Sequence, residues 1–272
     1  MPEKPEVITV AKMLEKRIVG HTITKAYVYY DNVIVGDKNE FLEKIKNEKI
    51  ESVTTRGKWI VIYLTNYALL VHLRMEGRFY FRHKNEVVSK HEHVALLLDN
   101  DIEMRFHDVR KFGRMMLLPK YKINEQKPLS DLGYEFDDER LTKEYLLDRF
   151  KSKTTPIKTV LLDQSIIAGI GNIYDDEILY LSHLIPLRPA KTVNSEEAEQ
   201  IIENTRIVLK KAIKMGGTTI KSFESSEGVH GNFQNELIVH GRKNGTCKNC
   251  NSEIIFTRVG GRGTYYCPNC QK

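Results

Sequence analysis

Cysteine is missing from most of this 272-residue sequence, because all four cysteines lie at or after Cys247. A secreted protein that depends on disulfides spreads its cysteines through the chain, so this distribution argues against one. A run of about 18 apolar residues, long enough to cross a membrane, is also missing. The N-terminus lacks the basic and apolar regions of a secretory signal. We therefore expect a cytoplasmic protein with no membrane partner.

The sequence shows no internal repeat and no low-complexity tract. Hydrophobic residues make up 41% of the chain and charged residues 29%, as in a globular protein that buries a core. The length suits two domains and a small additional one. The net charge is +6 at pH 7. This balance favours a polyanionic partner but does not identify it, since many basic proteins bind no nucleic acid.

Apolar residues near the N-terminus recur at helical spacing. Val7, Val10 and Leu14 share one face, which predicts a helix over residues 5–18. Pro5 suits the first turn of this helix, where its missing N–H is not needed. Short apolar or alternating runs then follow over residues 22–118, broken by Asn, Asp and Gly. They predict a β-sandwich or barrel.

The second half of the chain has a different pattern. A polar stretch indicates a linker, and a Gly- and Ser-rich stretch over residues 216–235 indicates a loop. Asn194 is the expected N-cap of the last helix, with Glu197 three residues later and Gly216 at its end. Apolar periodicity predicts helices over residues 139–151, 156–163, 172–183 and 195–215.

The cysteines form two C-x-x-C pairs, Cys247 with Cys250 and Cys267 with Cys270. Four thiolates at this spacing can close a tetrahedral zinc site, and the residues between the pairs can form a hairpin. A redox pair or free thiols are the alternatives. A zinc ribbon by itself carries no information about catalysis.

The N-terminus offers a nucleophile. Aminopeptidases remove Met1 when residue 2 is small, so the mature chain would begin with the secondary amine of Pro2. An α-amino group has a pKa of about 7.7–8.0, well below that of lysine, so part of it is neutral at pH 7. Such an amine can attack C1′ of a sugar, with Glu3 beside it to exchange protons. The alternative is that Pro2 has only a structural role at the start of the helix.

Basic residues alternate with apolar ones in three further motifs. Lys58 precedes a predicted strand, and the segments 72–79 (HLRMEGRF) and 107–113 (HDVRKFG) combine cations with a methionine or a phenylalanine. Apolar wedges and arginines together suit a DNA minor groove. The segment 169–172 (GIGN) opens a predicted helix, where backbone N–H groups can approach a phosphate. Solvated strand ends and ordinary turns are the alternatives.

Taken together, these motifs resemble the bacterial formamidopyrimidine-DNA glycosylase (Fpg) family, in the order and spacing of that family across nearly the whole chain. No single motif decides the resemblance. The motifs that carry it are MPEKPEV, RGKW, HLRMEGRF, HEHV, DVRKFG, GIGNIY, GNFQNELIVHGR and GGRGTYYCPNCQ.

The resemblance implies an α+β fold. An N-terminal β-sandwich that carries an N-terminal helix would be followed by a helical helix–two-turn–helix domain and a C-terminal zinc-ribbon β-hairpin. The implied boundaries are residues 1–119 for the catalytic domain, 120–138 for a linker, 139–235 for the helical domain with a lesion loop, and 236–272 for the zinc finger. One structural Zn²⁺, no small-molecule cofactor, a monomeric state and a bacterial cytoplasmic location are expected.

The resemblance also implies a bifunctional glycosylase and abasic-site lyase that acts on oxidised purines in duplex DNA. Pro2 would be the nucleophile and Glu3 its acid–base partner. Lys58 would assist sugar opening and β-elimination, and Arg262 the second elimination. Positive charge on two domains predicts a DNA cleft between them and salt-dependent binding.

The implied DNA contacts fall into two groups. Met75, Arg110 and Phe112 would fill the gap left by the extruded base, with Arg110 facing the orphaned cytosine. Residues 217–235 would close over the flipped base. The phosphate contacts would be Asn172, Arg262, Lys158 and His93.

The sequence departs from the family pattern at Lys4, at Asn232 and at His240, where the family usually has leucine, an aromatic residue and tyrosine. Pro2 and Glu3 are intact, so activity is expected. The departure at Lys4 concerns the contacts of that side chain, and the departure at Asn232 concerns base preference rather than the chemistry. Three alternatives stay open. They are the endonuclease VIII branch, which prefers oxidised pyrimidines, a non-catalytic zinc-finger DNA-binding protein, and a damaged-base binder weakened by Lys4.

Overall fold

The computed structural model describes residues 1–218 and 231–272. The chain divides into two compact units, of which the first holds Met1–Ser130 and Gly216–Gly231. The second holds Asp131–Met215 and Asn232–Lys272. Of the predicted loop over 217–235, residues 219–230 lie outside the described residues.

The first unit combines two helices with two antiparallel sheets. In chain order the elements are α1 (Lys4–Ile18), β1 (Ile23–Val28), α2 (Lys38–Ile45), β2 (Ile50–Arg56), β3 (Trp59–Leu64), β4 (Tyr67–His72), β5 (Arg78–His83), β6 (Glu92–Leu98), β7 (Ile102–His107) and β8 (Arg114–Pro119). One sheet has the strand order β1-β6-β7-β5 and the other the order β2-β3-β4-β8.

A single apolar core joins the two sheets, because buried residues of both, such as Phe106 and Val71, belong to one contiguous cluster. The predicted β-sandwich is therefore confirmed. Helix α1 lies on this core through Val7, Val10 and Leu14, which are fully or almost fully buried. Burial of one stripe of α1 on the sandwich fixes where the N-terminus of the chain lies.

Strands β2 and β3 are joined by a two-residue turn, since Arg56 pairs directly with Trp59. Gly57 takes a φ of 56°, a left-handed conformation that such tight hairpin turns favour and that glycine adopts without strain. Lys58 therefore sits at a fixed turn position rather than on a mobile loop.

The second unit is helical with a small C-terminal hairpin. In chain order the elements of this unit are β9 (Tyr134–Glu135), α3 (Lys143–Phe150), α4 (Ile157–Leu161), β10 (Ile167–Ala168), α5 (Asn172–Leu181), α6 (Ser195–Lys214), β11 (Ile255–Val259) and β12 (Arg262–Tyr266). Helix α6 begins at the predicted cap, because the Asn194 side chain accepts from the Glu197 N–H and the Glu197 carboxylate accepts from the Asn194 N–H.

Helices α3 to α6 enclose a second apolar core, to which Phe150, Ile178 and Leu209 belong. Strands β11 and β12 pair in antiparallel fashion, with Val259 opposite Arg262. Among the described residues, every helix is too short or too polar to cross a lipid bilayer.

Candidate functional site

The N-terminal residues are buried and fixed by the side chain of Glu6. One carboxylate oxygen of Glu6 accepts the Glu3 N–H at 2.8 Å. The other accepts the N–H of Thr218 at 2.7 Å and its hydroxyl at 3.2 Å. A Cβ at Gly217 would lie 2.5 Å from this second oxygen, so the close approach requires glycine. In each of these three bonds the Glu6 carboxylate is the acceptor.

The amine at the chain start lies in a strongly charged surrounding. In the full sequence this amine belongs to Met1, and removal of Met1 would transfer it to Pro2, which is buried. Burial holds the pKa of the amine below its ordinary value, and Lys58 lowers it further, while the carboxylates of Glu3, Glu6 and Glu76 act in the opposite direction. The N-terminal amine is thus within electrostatic range of two predicted catalytic residues, Glu3 and Lys58.

His72, at the end of β4, is a neutral imidazole. Burial lowers its pKa to about 3, and the nearby charges of Arg74 and Lys58 act in the same direction. Its Nδ1 atom accepts the Arg74 N–H at 3.0 Å, and its ring meets the Trp59 ring edge-on at 4.8 Å between centroids. Sequence reasoning did not select His72 or Glu6, although both lie inside recognised motifs.

The predicted gap-filling residues Arg110 and Phe112 lie on a loop that Asp108 holds in place. The buried carboxylate of Asp108 accepts three backbone N–H groups, from Arg110 at 3.0 Å, Phe112 at 2.9 Å and Gly113 at 2.7 Å. The Phe112 side chain is 48% exposed, and the Arg110 guanidinium lies 5.0 Å from its ring centroid. An exposed phenylalanine on a loop held by three hydrogen bonds suits an apolar wedge.

Replacement of Asp108 with alanine is expected to lower the free energy of unfolding by about 2–3 kcal/mol, because three N–H groups lose a buried acceptor. Urea denaturation of the purified chain measures this loss. Lys84→Ala is the matched control, since Lys84 forms an exposed ion pair with Asp101 and its loss should cost less than about 1 kcal/mol. Equal effects of the two substitutions would contradict the assigned role of Asp108.

Met75 and His93 occupy different surroundings. Met75 is half-buried in a turn closed by a hydrogen bond from the Gly77 N–H to the Leu73 carbonyl. His93 is only 2% exposed, and its Nε2 atom lies 2.7 Å from the Asp108 carbonyl oxygen. The Nε2 side of the His93 ring thus supports the Asp108 loop. Its predicted role as a phosphate contact stays a prediction.

In the second unit, Asn172 begins helix α5 and its amide donates to the Gly263 carbonyl at 2.9 Å. This bond ties the helix start to the hairpin that carries Arg262. Arg262 itself is exposed, next to the turn formed by Gly260 and Gly261, whose φ angles are 55° and 77°. The structure therefore places Arg262 at the tip of the hairpin, free of burial, where a phosphate can reach it.

Lys158 is fully buried and engaged by two carboxylates. Its Nζ atom lies 2.6 Å from Asp176 and 3.2 Å from Asp175. Burial lowers its pKa, but the two carboxylates raise it by more, so its pKa is above the ordinary value. Asp176 also contacts the His240 ring at 2.7 Å. Lys158 was predicted to bind phosphate, and such a contact would require this ion pair to open.

The four cysteine sulphur atoms lie within 4.8 Å of one another at the base of the β11–β12 hairpin. Two of the sulphur pairs are 3.4 Å and 3.8 Å apart. A tetrahedral zinc–thiolate centre with bonds of about 2.3 Å separates its sulphurs by about 3.8 Å. The donor set and its spacing therefore fit one tetrahedral metal ion, held by Cys247, Cys250, Cys267 and Cys270.

Comparison with known proteins connects these features. The family model for the N-terminal domain of formamidopyrimidine-DNA glycosylase matches residues 1–115, and that for its H2TH domain matches residues 132–224. A protein of Bacillus cereus named formamidopyrimidine-DNA glycosylase is 44% identical over 273 residues, covering 100% of this chain and 99% of the relative. A protein of the same name from Cytobacillus firmus is 40% identical over the full length of both.

The chain belongs to the formamidopyrimidine-DNA glycosylase family. Solved structures agree with this assignment. The Lactococcus lactis Fpg protein, in complex with DNA that contains an abasic site, has a TM-score of 0.93 and 32% identity, and each chain is covered completely. The same protein in complex with DNA that contains N7-benzyl-Fapy-dG gives the same TM-score and identity.

Membership of this family confirms the resemblance drawn from the motifs and makes the chain a DNA glycosylase by family. It does not by itself assign the individual residues. The roles predicted for Pro2, Glu3, Lys58 and Arg262 stay predictions, as do the DNA contacts.

Proposed function

We propose that the chain excises oxidised purines, 8-oxoguanine and formamidopyrimidines, from duplex DNA and then cleaves the abasic strand. The observation that carries this proposal is the buried N-terminal amine, whose pKa is lowered by burial and which lies in the field of Glu3 and Lys58. Burial favours the neutral form of such an amine, which is the nucleophilic form, whereas a DNA-binding protein needs no nucleophile. The family names and the DNA complexes of its relatives support the same conclusion.

In the proposed reaction, the Pro2 nitrogen attacks C1′ of the damaged nucleotide and displaces the base. The base leaves with the electrons of the glycosidic bond and acquires a proton, while the Pro2 nitrogen loses its proton. The C1′–O4′ bond then breaks, O4′ acquires a proton, and an iminium links Pro2 to C1′ of the opened sugar. Glu3 exchanges protons at the sugar. Lys58 assists the opening of the sugar and the β-elimination, and Arg262 assists the δ-elimination, which leaves a one-nucleotide gap.

Base extrusion precedes this chemistry, because C1′ is not accessible inside a duplex. Met75 and Phe112 would occupy the gap, and Arg110 would face the orphaned cytosine. Asn172 and Arg262 would hold phosphates near the hairpin. These contacts predict DNA binding that weakens steeply as salt concentration rises.

The metal is proposed to be one structural Zn²⁺. Four thiolates fill a tetrahedral shell, so no position is left for substrate or water. Thiolate ligands persist in a reducing compartment, which is consistent with the bacterial cytoplasm, where the DNA lies. We propose that the enzyme acts as a monomer without a small-molecule cofactor.

The expected pH dependence of Schiff-base formation follows from the burial of the N-terminal amine. Burial disfavours the ammonium form, so the neutral fraction at pH 7 is larger than for an amine with the ordinary pKa of 8.0. The rate of Schiff-base formation is expected to rise with pH and to be half-maximal below pH 8. Single-turnover borohydride trapping from pH 5 to 9 measures this profile. A half-maximal rate at or above pH 8 would contradict the lowered pKa.

The test of the proposed function is borohydride trapping with a duplex that carries 8-oxoguanine opposite cytosine, followed by peptide mass analysis. A cross-link on the amine of residue 2, with Met1 absent, supports the nucleophile, the lyase step and the substrate class. Cross-linking to a thymine glycol duplex but not to 8-oxoguanine would move the chain to the pyrimidine-specific branch. No cross-link to any duplex, an abasic one included, would favour a non-catalytic DNA-binding protein.

A further inference from the structure

The hydroxyl of Tyr180 lies 3.3 Å from the Sγ atom of Cys247. Tyr180 is the penultimate residue of helix α5 and is 8% exposed, and Cys247 is fully buried. Both belong to a small apolar cluster with Val239, Ile254 and Cys267. Tyr180 thus brings a polar atom of α5 next to a metal-binding cysteine.

The direction of this hydrogen bond follows from the chemistry of its two partners. A cysteine that binds a metal ion has lost its proton, so its sulphur can only accept. A phenol has an ordinary pKa of about 10 and keeps its proton at neutral pH. In the metal-loaded protein, the Tyr180 hydroxyl is therefore the donor and the Cys247 thiolate is the acceptor.

The position of Tyr180 is fixed by other bonds between α5 and the segment that precedes the cysteines. The Glu177 carboxylate accepts the backbone N–H groups of Ile238, Val239 and His240 at 2.8 to 3.0 Å. At the start of the helix, Asn172 donates to the hairpin. The end of α5 that carries Tyr180 is therefore anchored by hydrogen bonds that do not involve the cysteines.

A thiolate in this apolar surrounding carries an electrostatic cost. Four thiolates around one Zn²⁺ ion leave a net negative charge, and Cys247 and Cys267 are shielded from water. On the more exposed side of the site, the Asn249 amide lies 3.4 Å from the Cys270 sulphur. On the buried side, the Tyr180 hydroxyl contributes an O–H dipole to Cys247.

We propose that Tyr180 is a positioning residue of the metal centre, whose hydroxyl stabilises the Cys247 thiolate and slows the loss of the metal ion. The hydrogen bond orients the sulphur and withdraws electron density from it, so the bound thiolate is a weaker nucleophile. This role concerns metal retention and is independent of the proposed reaction at the N-terminus.

The test compares the wild type with Tyr180→Phe, which removes the hydroxyl and keeps the ring. Zinc release to excess EDTA is followed with the dye 4-(2-pyridylazo)resorcinol. We expect release from Tyr180→Phe to be about 10-fold faster, the lower end of the range for losing a hydrogen-bond partner of a metal ligand. Tyr265→Phe is the matched control. Tyr265 packs in the same cluster, but within the described part of the chain its hydroxyl makes no hydrogen bond to a cysteine sulphur.

A spectroscopic readout separates this role from simple packing. In the cobalt(II)-substituted protein, loss of a hydrogen bond to a thiolate should shift the sulphur-to-cobalt charge-transfer band to lower energy. 3-Fluorotyrosine at position 180 keeps the ring and strengthens the donor, so it should shift the band the opposite way and slow zinc release. These paired shifts are not expected if Tyr180 only fills space.

The proposal is overturned if Tyr180→Phe loads one zinc ion, keeps its helical circular dichroism, and releases zinc at the wild-type rate with an unchanged cobalt spectrum. It is equally overturned if fluorotyrosine leaves both readouts unchanged. A wild-type chain that binds no zinc would instead refute the proposed metal. Failure of borohydride trapping would refute the proposed reaction and leave the Tyr180 result unaffected.

Discussion

Excision of 8-oxoguanine by a Pro2→Gly variant is expected to be slower than wild type by about 10³-fold or more, the order seen when a covalent nucleophile is lost. The variant still begins with an amine, but a primary one. The pyrrolidine ring joins the Pro2 nitrogen back to its own Cα and so restricts the direction of the nitrogen lone pair. A secondary amine also gives an iminium that stays charged at every pH, whereas a primary amine gives an imine that must be protonated before elimination.

Single-turnover excision measures the effect, and DNA binding measured by fluorescence anisotropy should change by less than about threefold if Pro2 acts in chemistry rather than in binding. The matched control is the wild-type sequence with an uncleaved N-terminal extension. The extension converts the Pro2 nitrogen into an amide, which cannot form an iminium, and proteolytic removal should restore activity. Trapping that persists with the extension in place would transfer the nucleophile to another amine, with Lys58 the first to test.

Several elements of the fold were predictable because their signals are local. The predicted helix over residues 5–18 corresponds to α1, and Pro5 lies in its first turn. The cap at Asn194 and its reciprocal bond with Glu197 are present at the start of α6. Caps depend on residue types three positions apart, so one sequence suffices to locate them.

Other elements were not predicted, because their stability comes from partners distant in sequence. Strand β7 carries Glu103 and Arg105 at its centre, and these appear too polar for a buried strand. Arg105 is nevertheless fully buried, since it pairs with Glu103 at 2.7 Å and with Glu92 at 3.0 Å. Helix α2 has only Phe41 and Ile45 as buried residues, too few to give a clear period.

The candidate site also combines features that local motifs predict with features that depend on partners distant in sequence. Motifs identified the cysteines, and the structure brings their four sulphurs together as predicted. Motifs did not show that Asp108 holds three N–H groups or that Glu6 connects Glu3 with Thr218. A motif records which residue types recur, whereas the partners of a buried carboxylate follow from tertiary packing.

Lys158→Met is expected to lower the free energy of unfolding by about 3–5 kcal/mol, because it leaves two buried carboxylates without their cation. Methionine preserves most of the side-chain length, so the loss reports charge rather than volume. Urea denaturation followed by circular dichroism measures it. Lys38→Met is the control, since Lys38 pairs with Asp31 at the surface, and this substitution should cost less than about 1 kcal/mol.

The same variant separates two roles for Lys158. A lysine that contacts a DNA phosphate contributes about one unit to the slope of log K against log salt concentration. Lys158 lies between Asp175 and Asp176 with no exposed surface, so we expect its loss to leave this slope unchanged. Arg262→Met should lower the slope by about one unit, because Arg262 is exposed on the hairpin. A reduced slope in Lys158→Met would mean that DNA opens the buried ion pair, and the phosphate contact inferred from the family would then be correct.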